Sequence, residues 1–400
     1  MLVLIGVGAV LLLLLNLEDS FAVMLLPRRV QRRVGLTRLF FRTSWLAWSR
    51  AALTLPAGRK RERVLSVYGP LSMVALFVLW SAGLIVGFGI LQWVLQAGAA
   101  TQPPPTLSEQ LYMSGVTFFT LGYGDVVPHT GGSRLVAIIE AGTGFGLIAV
   151  VIGYLPVLYQ LFSRREAHVI QLDARAGSPP TAATLLVRHH VGGTLERVND
   201  LLREWELWAA ELLESHLSYP MLVYYRSQHD NQSWLAALAV MMDVCALILV
   251  GVEGLAPLQA RMTFTMAREV VVEIGRSFNI KPSRYTGGDR LPHKAFVEVE
   301  RAFARASLPW KGGPEAEEVL AALRATYEPM MDGLSSHLLL PLQGWTAQER
   351  LVDHWASGPR GLMAQRLVEE LATPTLPSGP VAAAGRPARL WRRVRARLRR

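Results

Sequence analysis

The 400-residue sequence predicts an all-α membrane protein: three membrane helices, a short re-entrant segment between the second and third, and an all-helical cytosolic domain. Three observations carry this expectation. Residues 1–17 and 71–95 contain no charged side chain, and 135–162 contain only Glu140. Lys and Arg fall in alternate connections between these runs. After residue 163 charges become frequent and apolar residues recur at helical spacing. A mean hydropathy of +0.27 excludes a disordered or fibrous chain, and a single Cys excludes a disulfide framework.

The first element is residues 1–27. Its uncharged part reaches only about 25 Å as a helix, against roughly 30 Å of hydrocarbon, so it is the shortest of the three spans. No Lys or Arg precedes it and no small-residue cleavage site follows, which favours a retained membrane helix over a removable signal peptide.

Residues 28–67 form the second element, a basic loop. Between 28 and 63 it carries eleven basic side chains and one acid, Glu62. The excess of positive charge places this loop in the cytoplasm, against anionic lipid, with the N-terminus outside. Its arginines follow no regular spacing through a long apolar helix, so a voltage sensor is not expected.

The third element, 68–165, holds two spans and the segment between them. The 25 uncharged residues 71–95 reach about 37 Å, enough to cross with some tilt. The connection 98–133 has no Lys or Arg, and the next run ends in Ser163-Arg164-Arg165, so charge alternates as three spans require. Within the connection, Pro103-Pro104-Pro105 ends the descending segment. Thr106 and Glu109 then have the spacing of a capping box that starts a short helix. That helix is apolar and aromatic, too short to cross, and so must re-enter.

The sequence after it, Thr120-Leu121-Gly122-Tyr123-Gly124-Asp125, is irregular backbone at membrane depth, which is tolerated only where it is packed in protein or lines a water-filled path. Gly122 and Gly124 can take positive φ without a Cβ penalty, so successive carbonyls can point the same way. Four chains around an axis would present rings of carbonyl oxygens from Thr120, Leu121, Gly122 and Tyr123, with the Thr120 hydroxyl innermost. This hexapeptide, following Thr117, resembles the signature of the potassium channel family, whose filter is the standard case of carbonyl-ring selectivity. The resemblance covers 68 to about 165 and implies the span, pore helix and filter, span module of bacterial potassium channels.

What the resemblance implies is a homotetramer passing K+ down its gradient through a selectivity filter of Thr120, Leu121, Gly122, Tyr123 and Gly124. K+ is then the permeant ion and no cofactor is implied. Asp125 would ring the outer mouth with negative charge, or serve only as a turn residue before Val126. Gly144 lies twenty residues after Gly124, the family's hinge spacing, and Pro156 removes a hydrogen bond to Ile152. Both are candidate gating hinges, although glycine in a membrane helix also serves packing. Thr106, Glu109 and Glu140 are candidate supports of the pore helix; Glu140, an ionisable residue inside a span, is at least as well explained as a partner for Arg134 or for pore-helix donors as by a cation site. Three departures stand out: Leu121 replaces the usual Val or Ile, Phe119 a small hydroxyl residue, and Val116 an acid found in some relatives. They leave a less selective cation channel open.

Residues 166–385 read as the helical cytosolic domain, with 173–184 as a linker. Residues 234–252 are apolar apart from Asp243. A fourth span there would carry eight Arg of 386–400 outside, so a buried helix in a soluble core is expected. No P-loop or dinucleotide fingerprint occurs, and the ligand this domain would bind is not legible. His189-His190 and His229-Asp230 offer metal-ligand types for a hydrolase, without a second motif; a non-enzyme is the reading preferred. The tail 386–400 has the pattern of a basic amphipathic helix on anionic lipid. Nucleic-acid binding is not expected, since membrane topology accounts for the charge of +10. An excess of 37 Arg over 4 Lys suggests a GC-rich bacterial genome and hence a bacterial cell membrane.

Overall fold

The computed structural model describes residues 1–25, 35–97, 105–190, 195–227, 232–281 and 289–346. Among these the protein is helical, with one isolated bridge between Val252 and Trp310 and no strand. Three helices are long and apolar enough to cross a membrane: α1 (Leu2–Met24), α3 (Arg59–Ala97) and α5 (Gly131–Ala176). The 23 residues of α1 reach about 34 Å, because the helix continues past Leu17 through Glu18 and Asp19. The Asp19 carboxylate is not a stray charge. It accepts from the Thr37 backbone N–H at 3.1 Å and from Trp80 Nε1 at 2.9 Å, so it ties α1 to both following helices.

The basic loop expected over 28–67 is largely helical. Residues 36–53 form α2 (Leu36–Leu53), and α3 begins at Arg59, nine residues ahead of the expected pore-module boundary. The cause is aromatic spacing that the arginines mask: Phe41, Trp45 and Trp48 recur at i, i+4 and i+7. Phe41 stacks on Tyr224 with ring centroids 5.8 Å apart, and Trp45 Nε1 donates to the His337 carbonyl at 2.9 Å. Helix α2 therefore joins the long apolar helices to the helical domain that follows α5. Arg28, Arg29, Arg32 and Arg33 lie outside the described residues.

The expected linker 173–184 is also shorter than read. Helix α5 runs to Ala176 and α6 (Ala182–His189) starts at once after Thr181, whose side chain caps it. Only Gly177 and the Pro179-Pro180 pair interrupt the helical run. The rest of the domain consists of α7 (Glu196–Ser218), a 3-10 turn (Pro220–Tyr224), α8 (Trp234–Val250), α9 (Pro257–Ser277), α10 (His293–Arg305), α11 (Pro314–Arg324) and α12 (Glu328–Leu338).

Helix α8 sits at the centre, with every residue from Trp234 to Ile248 buried, as a core helix rather than a span requires. Neighbours α7 and α9 cover it with amphipathic faces such as Val198, Leu202, Trp205, Val270 and Ile274. Arg165, read from sequence as one of the charges that fix topology, is buried. It donates to the carbonyls of Leu222 at 2.9 Å and Tyr225 at 2.6 Å and pairs with Glu166 at 2.9 Å, anchoring the foot of α5 in the domain. The tail 386–400 and the stretch from 347 onward lie outside the described residues.

Candidate functional site

The pore helix expected after residue 105 is α4 (Leu107–Phe118), and its start is fixed by the reciprocal bonds of a capping box. Glu109 N–H donates to Thr106 Oγ1 at 3.3 Å, and Thr106 N–H donates to Glu109 Oε2 at 2.9 Å. Pro103 and Pro104 lie outside the described residues. Leu13 of α1, Leu84 and Phe88 of α3 and Phe118 of α4 form a small separate core beside it.

Three glutamines that the sequence reading passed over fasten one end of this unit. Gln96 Nε2 donates to Gln110 Oε1 at 2.6 Å, and Gln96 Oε1 accepts from the His129 backbone N–H at 3.1 Å. Gln92 Nε2 donates to the Ser133 carbonyl at 3.0 Å. All three are buried. The signal available in the sequence was two amides four residues apart in an otherwise apolar span, a placement that membrane helices reserve for interhelical bonds.

At its other end α4 unwinds in a defined way. Thr120 N–H donates to the Thr117 carbonyl at 3.0 Å and Leu121 N–H to the Val116 carbonyl at 2.8 Å, after which residues 121–124 form no regular secondary structure. Thr120, Gly122 and Gly124 take φ of 57°, 59° and 78°, alternating with Leu121 and Tyr123 on the ordinary side. The structure thus has the alternate handedness that the two glycines allow, and Thr120 pays for a conformation that L residues rarely adopt. Among the described residues, none of the carbonyls of Thr120, Leu121, Gly122 and Tyr123 accepts a hydrogen bond. Leu121 is 56% and Tyr123 67% exposed in the single chain. Asp125 is held by Tyr112, whose hydroxyl donates to Oδ2 at 2.9 Å, and by the Val126 N–H.

Helix α5 supports α4 at two points. Gly144 lies so close to the end of α4 that a Cβ there would stand 2.1 Å from the Phe118 carbonyl oxygen. Glu140, fully buried, bonds to Ser114 Oγ rather than to Arg134, whose Nε donates instead to the Pro128 carbonyl at 3.3 Å. Pro156 is exposed within an unbroken helix. For Gly144 close packing is a sufficient reason for glycine. Gly144→Ala is expected to cost about 1–3 kcal/mol by overpacking, seen as a lower unfolding temperature of the purified protein; a hinge role alone would leave that temperature unchanged.

The two histidine pairs are placed differently. His189 Nδ1 lies 2.8 Å from the Leu185 carbonyl and His190 Nδ1 3.2 Å from that of Ala306, while His229-Asp230 falls outside the described residues. Burial holds the His189 imidazole below its usual value, against the carbonyl bond that favours its proton.

Comparison with known proteins places the same unit at the centre. A family model described as "Ion channel" matches residues 73–160. The chain is 36% identical over 95 residues to Protein LctB of Geobacillus stearothermophilus, an alignment covering 20% of this chain and 70% of LctB, with the same figures for Protein LctB of Bacillus caldotenax. It is 26% identical over 200 residues to the "Uncharacterized membrane protein YdjJ" of Bacillus subtilis (strain 168), covering 48% of this chain and 56% of that relative. The chain thus spans only about half the length of the latter. No solved structure matches it. The family model covers the capped short helix and most of the two long apolar helices that flank it, the LctB proteins are matched over 70% of their own length, and on these matches the chain belongs to the ion-channel family.

Proposed function

We propose that the chain is one subunit of a homotetrameric, potassium-selective channel of the cell membrane, with the TLGYG segment as its filter. The observation that carries this reading is the row of four carbonyls, Thr120 to Tyr123, which accept no hydrogen bond among the described residues and lie between two helices long enough to span. An unpaired carbonyl in hydrocarbon costs several kcal/mol, so the row calls for another occupant. A dehydrated monovalent cation supplies one, and rings of such oxygens replace its water.

Fourfold assembly would also cover what a single chain leaves bare. Besides Leu121 and Tyr123, α5 exposes Ile138 at 72%, Phe145 at 68% and Ile152 at 66%. The C-terminal, negative end of each α4 would face the central cavity and steady a cation there. Asp125 would raise cation concentration at the mouth. The basic inner segments would lie against anionic lipid with the helical domain in the cytoplasm and the N-terminus outside.

Reversal potentials of the purified full chain in planar bilayers, with opposed K+ and Na+ gradients, test the reading. A reversal close to the K+ equilibrium potential is expected. A reversal near zero would make the protein a less selective cation channel, and a strictly monomeric protein would remove the pore altogether.

A further inference from the structure

The buried carboxyl of Glu140 has a bonding pattern that the proposed pore does not by itself explain. Glu140 and Ser114 are both 0% exposed. Ser114 Oγ lies 2.8 Å from the Ile85 carbonyl oxygen of α3 and also bonds to Glu140 Oε1. A serine hydroxyl owns one hydrogen, and the Ile85 carbonyl can only accept. If that hydrogen is spent on Ile85, the second bond needs a hydrogen from Glu140, which only the protonated acid possesses.

The competing arrangement is an ionised Glu140 that takes the serine hydrogen. It would leave a buried negative charge with a single hydrogen bond, because Glu140 Oε2 has no partner among the described residues. Among those residues no counter-charge faces it. From 71 to 97 α3 carries no ionisable side chain, and α4 brings Glu109, spent on its cap, and Tyr112, bonded to Asp125. On α5 Arg134 turns to the Pro128 carbonyl, and His129 binds Gln96 through its backbone. On α1, which packs on α3, Asp19 is engaged by Thr37 and Trp80. A buried unpaired charge costs far more than one unmet lone pair on a neutral acid, so the neutral arrangement wins.

We propose that Glu140 is a positioning residue that works as a neutral carboxylic acid, donating to Ser114, which donates to Ile85, so that one proton clamps the pore helix between the two spans. Geometry says what the clamp controls. Glu140 meets Ser114, and one turn further along both helices Gly144 meets Phe118, two residues before Thr120. Loss of the proton forces Ser114 to turn its hydrogen away from Ile85 and puts a charge behind α4. The lower contact at Gly144 then carries the seat of the filter alone.

The inference rests on the reading of residues 120–124 as an ion filter, and its test separates the two. Infrared spectra of the full-length protein in lipid vesicles, wild type minus Glu140→Gln, are expected to show a protonated-acid carbonyl band at neutral pH. Raising the pH should remove that band and lower the wild-type K+ current at least about fivefold in step, as expected when a buried partner is lost. The current of Glu140→Gln, whose amide keeps a donor but cannot ionise, should show no such step. A carboxylate band in place of the acid band at neutral pH overturns the proposal, as does an unchanged alkaline step in Glu140→Gln, or an acid band that is lost at alkaline pH while the current stays the same. A wild type that shows the acid band but conducts at no pH removes the pore reading and with it the clamp's effect on current.

Discussion

Gly122→Val is expected to abolish ion current while lowering the unfolding temperature of the protein only slightly. Gly122 has φ of +59°, where an ordinary L residue pays about 1–2 kcal/mol and a β-branched one more. Within the chain the space around a Cβ here is open, with nothing inside 4 Å, so the substitution meets no side chain that would have to move. The strain is relieved most cheaply by turning the peptide, and turning it swings a carbonyl of the row away from its neighbours. In the proposed tetramer four subunits would share the row, so the distortion would be repeated four times around the axis. Leu121→Val makes the contrast. Leu121 sits on the ordinary side of φ and its carbonyl is main chain, so current should survive that change. Bilayer recordings of the two variants, alongside thermal unfolding of each, check the pair. Current retained in Gly122→Val would show that ions do not pass this backbone.

Much of this site was legible because it is written locally. A capping box, a charge-free run and an alternation of glycines are patterns within a few residues, and each obeys constraints that act before any tertiary contact forms. What escaped was non-local. The partner of Glu140 is Ser114, 26 positions away on another helix, and nothing in an apolar run around Ser114 distinguishes it from a solvating serine. Gln92 and Gln96 carried a signal, two amides four residues apart in an apolar span, but their partners Ser133, Gln110 and His129 lie on other segments. Helix α2 escaped differently: its arginines dominate the composition, while its aromatic face shows only once Tyr68 and Tyr224 are there to receive Trp45, at centroid distances of 4.9 and 5.0 Å. The boundary at 173–184 was misplaced because proline and glycine mark a break without saying how short it is.

In the helical domain of α6 to α12 the largest effect is expected at Arg290, and the sign of the change at its partner Asp243 also tests whether α8 spans the membrane. Asp243 stands midway along α8, 1% exposed. Arg290 Nη1 reaches Asp243 Oδ1 at 3.3 Å and Glu328 Oε1 at 3.0 Å, its Nε donates to the Gln343 carbonyl at 3.1 Å, and Tyr327 donates to Asp243 Oδ1 at 2.7 Å. Burial opposes the charge on Arg290, but Asp243, Tyr327 and Glu328 outweigh it and hold the guanidinium proton above the usual arginine range. Arg290→Ala leaves Asp243 buried beside Glu328 without its cation, which should cost about 3–5 kcal/mol, a large part of a typical domain's stability. Asp243→Leu alone should destabilise by a similar amount, since Arg290 is then the uncompensated charge. The double replacement Asp243→Leu with Arg290→Met should recover most of the loss, because a well-packed apolar pair avoids both desolvation costs. Denaturant unfolding of the full-length protein measures all three. Were α8 instead a membrane span, removing an aspartate from mid-bilayer would relieve about 2.5–3.5 kcal/mol, so Asp243→Leu would stabilise rather than unfold.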